Sequence, residues 1–139
     1  MKRKLFYTGN YTTGVDIAIF ILRVVAGSFM LTHGWMKLVN VIKGPPYEFA
    51  DPIGLGVTLS LILVAFAEGI CSVLVALGFA VRLSAIPPMI AMLVAGFVTH
   101  GSDPFSSKEL SLLYATVFLV IAITGAGKIS FDRLLEKVK

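Results

Sequence analysis

The chain predicts an all-α integral membrane protein: a four-helix bundle with a short amphipathic surface helix at its C-terminal end. Three observations carry that prediction. Of its 139 residues, 57% are hydrophobic and only 14% charged, against about 25% charged in an ordinary soluble domain. Mean hydropathy is +0.90. The apolar residues gather in four runs, each close to the ~20 residues a helix needs to cross about 30 Å of hydrocarbon. A soluble fold of this length could not hide so much apolar surface. The same numbers exclude a disordered chain, a disulfide scaffold and a basic nucleic-acid-binding domain. The pI of about 9.4 and the net charge of +4 arise mostly at the chain ends. The expected partner is therefore the lipid bilayer, with no nucleic acid.

The first span is expected over 15–36. It is too long for a cleavable signal, and Arg23 interrupts it, so it should stay as a helix. Gly44-Pro45-Pro46 then stops regular helix, and Tyr47 and Phe49 suit the headgroup level. The second span is expected over 55–79. The tight connection from Gly78 to Ser84 makes the second and third spans antiparallel neighbours. The third, over 85–100, opens on Pro87-Pro88, so an irregular start is expected, with Ser84 as the cap. The fourth is expected over 109–126. After Gly125-Ala126-Gly127, Ser130 is placed to cap a new helix. Phe131, Leu134, Leu135 and Val138 share one face of it, with Arg133, Lys137 and Lys139 off that face, as in a helix lying on a membrane surface. Four spans use about 80 residues, so residues 1–139 read as a single membrane domain. Ala65 and Gly69, Ser72 and Ala76, and Ala91 and Ala95 stand at helix-packing spacing.

Orientation follows from the flanking cations. Lys2, Arg3, Lys4, Arg82, Lys128, Arg133, Lys137 and Lys139 flank one side; Lys37, Lys43 and Lys108 flank the other. Positive residues favour the cytoplasm, so both termini are expected there, in a multi-pass protein of the cytoplasmic (inner) membrane.

Charges inside spans need partners or water. Counting ~1.5 Å per residue, Arg23 lies about 9–12 Å above the cytoplasmic edge and Glu68 about 15 Å above it. An arginine reaches across that difference, so an Arg23–Glu68 pair is expected between spans one and two. It would either fix helix register or line a path for a ligand or proton. A second polar group gathers at the outer edge. His33 and Lys37 are four residues apart on one face, His100 ends the third span, and Glu109 and Tyr114 open the fourth. Glu109 near a helix N-terminus also suits the dipole. Two histidines on one side could ligate a metal or haem, but no His, Cys or carboxylate spacing resembles a ligand set, so no metal is expected. They could instead exchange protons with a quinone, which needs only an apolar slot ending in a few polar groups. No phosphate loop, GxSxG, HExxH or CxxC occurs. Cys71, inside an apolar run, reads as packing.

The pattern resembles the DoxX family of small four-span membrane proteins. The matching segments are Leu22-Arg23 with Gly27; His33-Gly34-x-x-Lys37-Leu38; Glu68 with Leu77-Gly78 and Arg82-Leu83; and Glu109-Leu110 with Leu112-Leu113-Tyr114. The ending Gly125-x-Gly127-Lys128-x-Ser130-x-Asp132-Arg133-Leu134-Leu135 is the most specific piece. The resemblance implies a membrane subunit of a redox system. The namesake group is associated with thiosulfate:quinone oxidoreduction, bacterial relatives with oxidative-stress and quinone responses, and others with assembly or trafficking. It carries no agreed catalytic set. The expectation is a redox- or quinone-linked membrane component that binds an amphipathic ligand in its bundle and, if enzymatic, acts as an oxidoreductase subunit. No cofactor is intrinsic, a quinone is the expected ligand, and a redox partner protein supplies any prosthetic group; a homo-oligomer is also expected as a partner. Arg23, Glu68, His33, Lys37, Glu109 and Tyr114 are the candidate ligand-binding or buried polar residues, with His100, Arg82 and Asp132 secondary. The alternative is a non-enzymatic scaffold or assembly factor, and the third choice a small transporter.

Overall fold

The structure is a computed structural model that describes residues 7–137. Four helices are long and apolar enough to cross a membrane: α1 (Thr13–Lys43), α2 (Val57–Leu77), α3 (Val81–Thr99) and α4 (Phe105–Thr124). A short α5 (Phe131–Lys137) follows. Each of α1 to α4 packs on the next, and α4 closes back on α1. Their shared core holds Ala26, Met30, Val75, Val81, Ala85, Phe118, Ile121 and Ala126. Large apolar side chains cover the outside, Phe29, Phe97, Leu113 and Ile123 among them. An outward apolar coat is what lipid requires and water forbids.

All four expected spans are present, and the differences have physical reasons. Helix α1 runs for 31 residues, about 46 Å at 1.5 Å each, and so overhangs any hydrocarbon slab at one or both ends. It stops at Gly44, ahead of Pro45-Pro46. Helix α2 ends on Gly78, whose φ of 82° gives the left-handed cap. The third span is irregular at its start, as the prolines require: a turn over Val81–Ser84 breaks at Ala85 and resumes over Ile86–Val94. Pro87 and Pro88 fall in the first turn of the resumed helix, where no N–H is needed. Ser84 is not its cap; its hydroxyl donates back to the Phe79 carbonyl at 3.1 Å. The fourth helix starts at Phe105, a turn earlier than expected, so Glu109 lies outside its first turn. Two turns widen to π geometry, Phe66–Cys71 in α2 and Ala95–Thr99 in α3.

The α1–α2 contact sets the level of everything else. A Cβ on Gly27 would meet the Ser72 carbonyl at 2.7 Å, and one on Gly34 would collide with the backbone of Glu68 and Gly69. The two backbones therefore touch at two points two turns apart, the close approach small residues permit in lipid. Gly69, Ser72 and Ala76, read from sequence as packing residues, sit in this seam. Residues of α1 and α2 whose numbers sum to roughly 102 face one another. Leu77 is thus level with about residue 25, and α1 extends some 18 Å beyond the end of α2.

That overhang is covered by the chain ends. Asp16, buried in the first turn of α1, accepts from the Lys128 backbone N–H at 3.0 Å and pairs with Lys128 Nζ at 3.1 Å. The Tyr11 hydroxyl donates to the Thr124 carbonyl at 3.1 Å, and the buried Thr8 hydroxyl donates to Glu136 at 2.6 Å. Ser130 caps α5 as expected, accepting from the Arg133 N–H at 3.3 Å. Phe131, Leu134 and Leu135 form its expected apolar face and point outward. Val138, Lys139 and the Lys2-Arg3-Lys4 cluster lie outside the described residues.

Candidate functional site: a polar cavity at the loop end of the bundle

The buried charges form two layers, one at the end that carries the termini and one at the opposite, loop end. Arg23 and Lys37 mark them on α1, 14 residues or about 21 Å apart.

The terminal layer corrects one expectation. Arg23 is fully buried but does not pair with Glu68. It donates to the Val75 carbonyl at 3.2 Å and to the Ile129 carbonyl at 2.6 Å. The register explains why: at Arg23 the facing stretch of α2 is its end, Leu77-Gly78, and Glu68 lies roughly two and a half turns away. Counting depth from the apolar runs assumed level helix ends, and the overhang of α1 removes that assumption. Asp132, also buried, accepts from the N–H of Ala80 at 2.7 Å and of Val81 at 3.0 Å, while its own N–H donates to the Gly78 carbonyl at 2.9 Å. It holds the turn in which Ala80 takes a φ of 47°. Burial pushes the Asp132 carboxyl above its ordinary range, against the pull of those two N–H groups and of Arg23. Arg82 donates to the Thr124 carbonyl at 3.4 Å and lies against Gly125. Arg23, Arg82 and Asp132 thus bind the chain to itself. Sequence reasoning missed Asp16; its one signal was an acid in the first turn of an apolar helix.

The loop layer gathers most of the remaining candidates. A cavity of about 240 Å³ is lined by His33 and Lys37 from α1, Glu68 from α2, His100 after α3, and Tyr114 from α4, with Met92, Ala95, Leu110 and Ser111 completing the wall. Lys37 Nζ forms an ion pair with Glu68 Oε2. The Glu68 side chain is 3% exposed and that of Lys37 25%, so the acid is desolvated and the amine still meets water. The rings of His33 and Tyr114 meet edge to face, centroids 6.3 Å apart at 77°. His100 Nδ1 lies 2.8 Å from Asp103 Oδ2. Both π turns flank the cavity: Glu68 lies within one, and Ala95 and His100 bound the other. Such bulges recur at functional sites. Glu109 is not in the wall; with α4 starting at Phe105 it faces outward. Cys71 is buried and unbonded. Among the described residues no three His, Cys, Asp or Glu side chains converge as a metal-ligand set.

Four apolar helices packed in a ring, with a polar cavity between them at the loop end, define a small multi-pass integral membrane protein. The DoxX family profile matches residues 18–101, and the chain belongs to that family. It is 28% identical over 126 residues to the inner membrane protein YqjF of Escherichia coli (strain K12), covering 88% of this chain and 95% of that one. No solved structure matches it. The matched stretch of this chain spans Arg23, His33, Lys37, Glu68 and His100 and ends before Tyr114 and before the C-terminal Gly125–Leu135 segment.

Proposed function

We propose that the loop-end cavity binds the polar head of a lipid-soluble ligand, a quinone in the first instance, and that the chain is a membrane component of a quinone-linked redox system. One observation carries this reading: the cavity's polar groups are largely unused by the protein. The Tyr114 hydroxyl and the His33 ring make no hydrogen bond among the described residues, His100 uses one nitrogen, and Lys37 uses one of its three donor protons. These groups are half-buried or exposed, so water can reach them, and their free donors and acceptors line one cavity. A quinone offers two carbonyl acceptors that Lys37, Tyr114 and His33 can serve, with an apolar tail suited to the lipid around the bundle. Any electron-carrying group would come from a partner protein. The cations Arg82, Lys128, Arg133 and Lys137 lie toward the terminal layer, which supports cytoplasmic termini.

The scaffold reading is favoured by the terminal layer, where Arg23 and Asp132 are spent on internal bonds. Thermal unfolding in mild detergent separates the two. A short-tail benzoquinone at 100 times its Kd should stabilise a quinone-binding protein by about 2.7 kcal/mol, and combining Lys37→Met with Tyr114→Phe should abolish the shift. No shift for the unsubstituted protein, with no quinone in its lipid extract, would leave the scaffold.

A further inference from the structure

We propose that His100, its tautomer locked by Asp103, sets which redox form of a quinone the cavity holds. The proposal rests on the reading that the cavity takes a quinone head. His100 Nδ1 lies 2.8 Å from Asp103 Oδ2. An ionised carboxylate only accepts, so Nδ1 carries the hydrogen and donates. The lone pair of the neutral ring is then on Nε2, the ring nitrogen without a protein partner among the described residues, on a side chain that helps to line the cavity. Neutral His100 therefore meets a ligand as an acceptor. Once protonated it has N–H on both nitrogens and meets the ligand as a donor.

The two forms of the ligand answer differently. A quinone carbonyl only accepts, so it opposes neutral Nε2 lone pair to lone pair and is welcomed by the imidazolium. A quinol hydroxyl rotates and suits either state. Neutral His100 thus selects against the quinone, and protonation removes the selection. Its side chain is 41% exposed and that of Asp103 47%, so the ring exchanges its proton directly with water.

The other groups facing the cavity do not act this way. His33 meets Tyr114 edge on and has no carboxylate to fix its tautomer, so it can donate or accept without changing charge. Tyr114 likewise does both. Lys37 and Glu68 are paired with each other. Lys108, beside His100, donates to the Gly101 carbonyl at 2.9 Å, and Glu109 faces outward.

The test uses the full chain in mild detergent, a short-tail benzoquinone, and its quinol kept reduced under argon. Affinities are measured at about pH 5 and pH 8, which bracket imidazole titration; the quinol, a phenol, keeps its protons throughout. The quinol-to-quinone affinity ratio should be about fivefold larger at pH 8, the worth of one net hydrogen bond. His100→Gln, whose amide both donates and accepts, should make the ratio independent of pH without moving the unliganded melting temperature. His33→Gln should weaken both forms and keep the pH dependence. A pH-independent ratio in the unsubstituted protein, or a pH dependence that follows His33 instead, would overturn the assignment while leaving the cavity as a quinone site. Binding of neither form at either pH would overturn both.

Discussion

Replacing Lys37 by Met removes a cation and keeps the chain length, leaving the Glu68 carboxylate, 3% exposed, without its partner. Stranding one member of a buried pair costs about 3–5 kcal/mol. An upper bound follows from the carboxylate's escape route, which is to take up a proton. Drawing a proton onto an ordinary glutamate at pH 7 costs about 3.7 kcal/mol, ~2.7 pH units at ~1.36 kcal/mol each. Water in the cavity reduces the penalty further, so about 2–3 kcal/mol is expected. The converse change is cheaper. Glu68→Gln leaves an ammonium that is 25% exposed and can swing its head toward water, for about 1 kcal/mol. The double variant should recover part of the Lys37→Met loss, because no charge is then stranded.

The pH dependence carries a sign. Protonating the stranded carboxylate becomes easier as pH falls, and at pH 5 the same bound is about 1 kcal/mol. The Lys37→Met penalty should therefore shrink between pH 7 and pH 5. Unfolding free energies from detergent titration, for the four proteins of the cycle at both pH values, supply the measurement. Additive single effects, or a penalty that grows on acidification, would refute the pairing. Arg23→Leu combined with Glu68→Gln should show no coupling, since the register holds those residues apart.

Three further outcomes follow from the packing. Asp132→Asn should destabilise by about 1–2 kcal/mol, since an amide has one acceptor oxygen for the Ala80 and Val81 N–H groups, while the burial that raises the carboxyl favours a neutral group and offsets part of the loss; protease sensitivity of the C-terminal helix should rise with it. Gly34→Ala should cost about 3 kcal/mol, the upper end for overpacking, because the new methyl meets backbone rather than a movable side chain; Gly14→Ala, with nothing within 4 Å, should instead stabilise by up to about 1 kcal/mol, and equal signs in thermal melts would refute the contrast. The Ser60 hydroxyl, with the Gly56 and Leu55 N–H groups, holds the Asp51 carboxyl below its ordinary 3.8, so its ordering of the first loop should persist at pH 5 and be lost only as pH falls through that lowered value; hydrogen exchange at the Leu55 and Gly56 amides, corrected for intrinsic rate and compared with Asp51→Asn, reads this.

The four spans were legible because the signal for a membrane helix is coarse: about 20 apolar residues, repeated, with glycine and proline between. Even the break in α3 follows from two prolines. The relative height of the helices was not legible. It depends on where Gly27 and Gly34 meet α2, and two glycines seven residues apart do not say which residues they face. That one missing quantity turned Arg23 toward the wrong partner. The start of α4 failed for a different reason: Ser106, Ser107, Lys108 and Glu109 lower the local hydropathy, and the helix begins ahead of them at Phe105 regardless.

The cavity shows the same division. His33, Lys37, His100 and Tyr114 could be gathered from sequence because each is polar and stands near the loop end of an apolar run; Glu68, in mid-span, could not. Their use could not. Glu68 was assigned to a salt bridge with an arginine, which would have closed its role; its actual partner, Lys37, has two donor protons to spare and opens on a cavity. The C-terminal segment makes the opposite point. Its motif pointed from sequence to the family, but it lies outside the matched residues 18–101, and Asp132 and Ser130 are consumed in tying α5 to the turn between α2 and α3 and in capping it. A polar motif in a membrane protein can thus be a fastening, because every backbone group it satisfies would otherwise be costly to bury. Unspent hydrogen-bonding capacity is the better discriminator. At the terminal end the Arg23 amino groups and both Asp132 oxygens already have protein partners, and the Nε atoms of Arg23 and Arg82, which have none, are sealed from solvent. At the loop end a phenol, an imidazole and most of an ammonium do not, and there a ligand has something to bind.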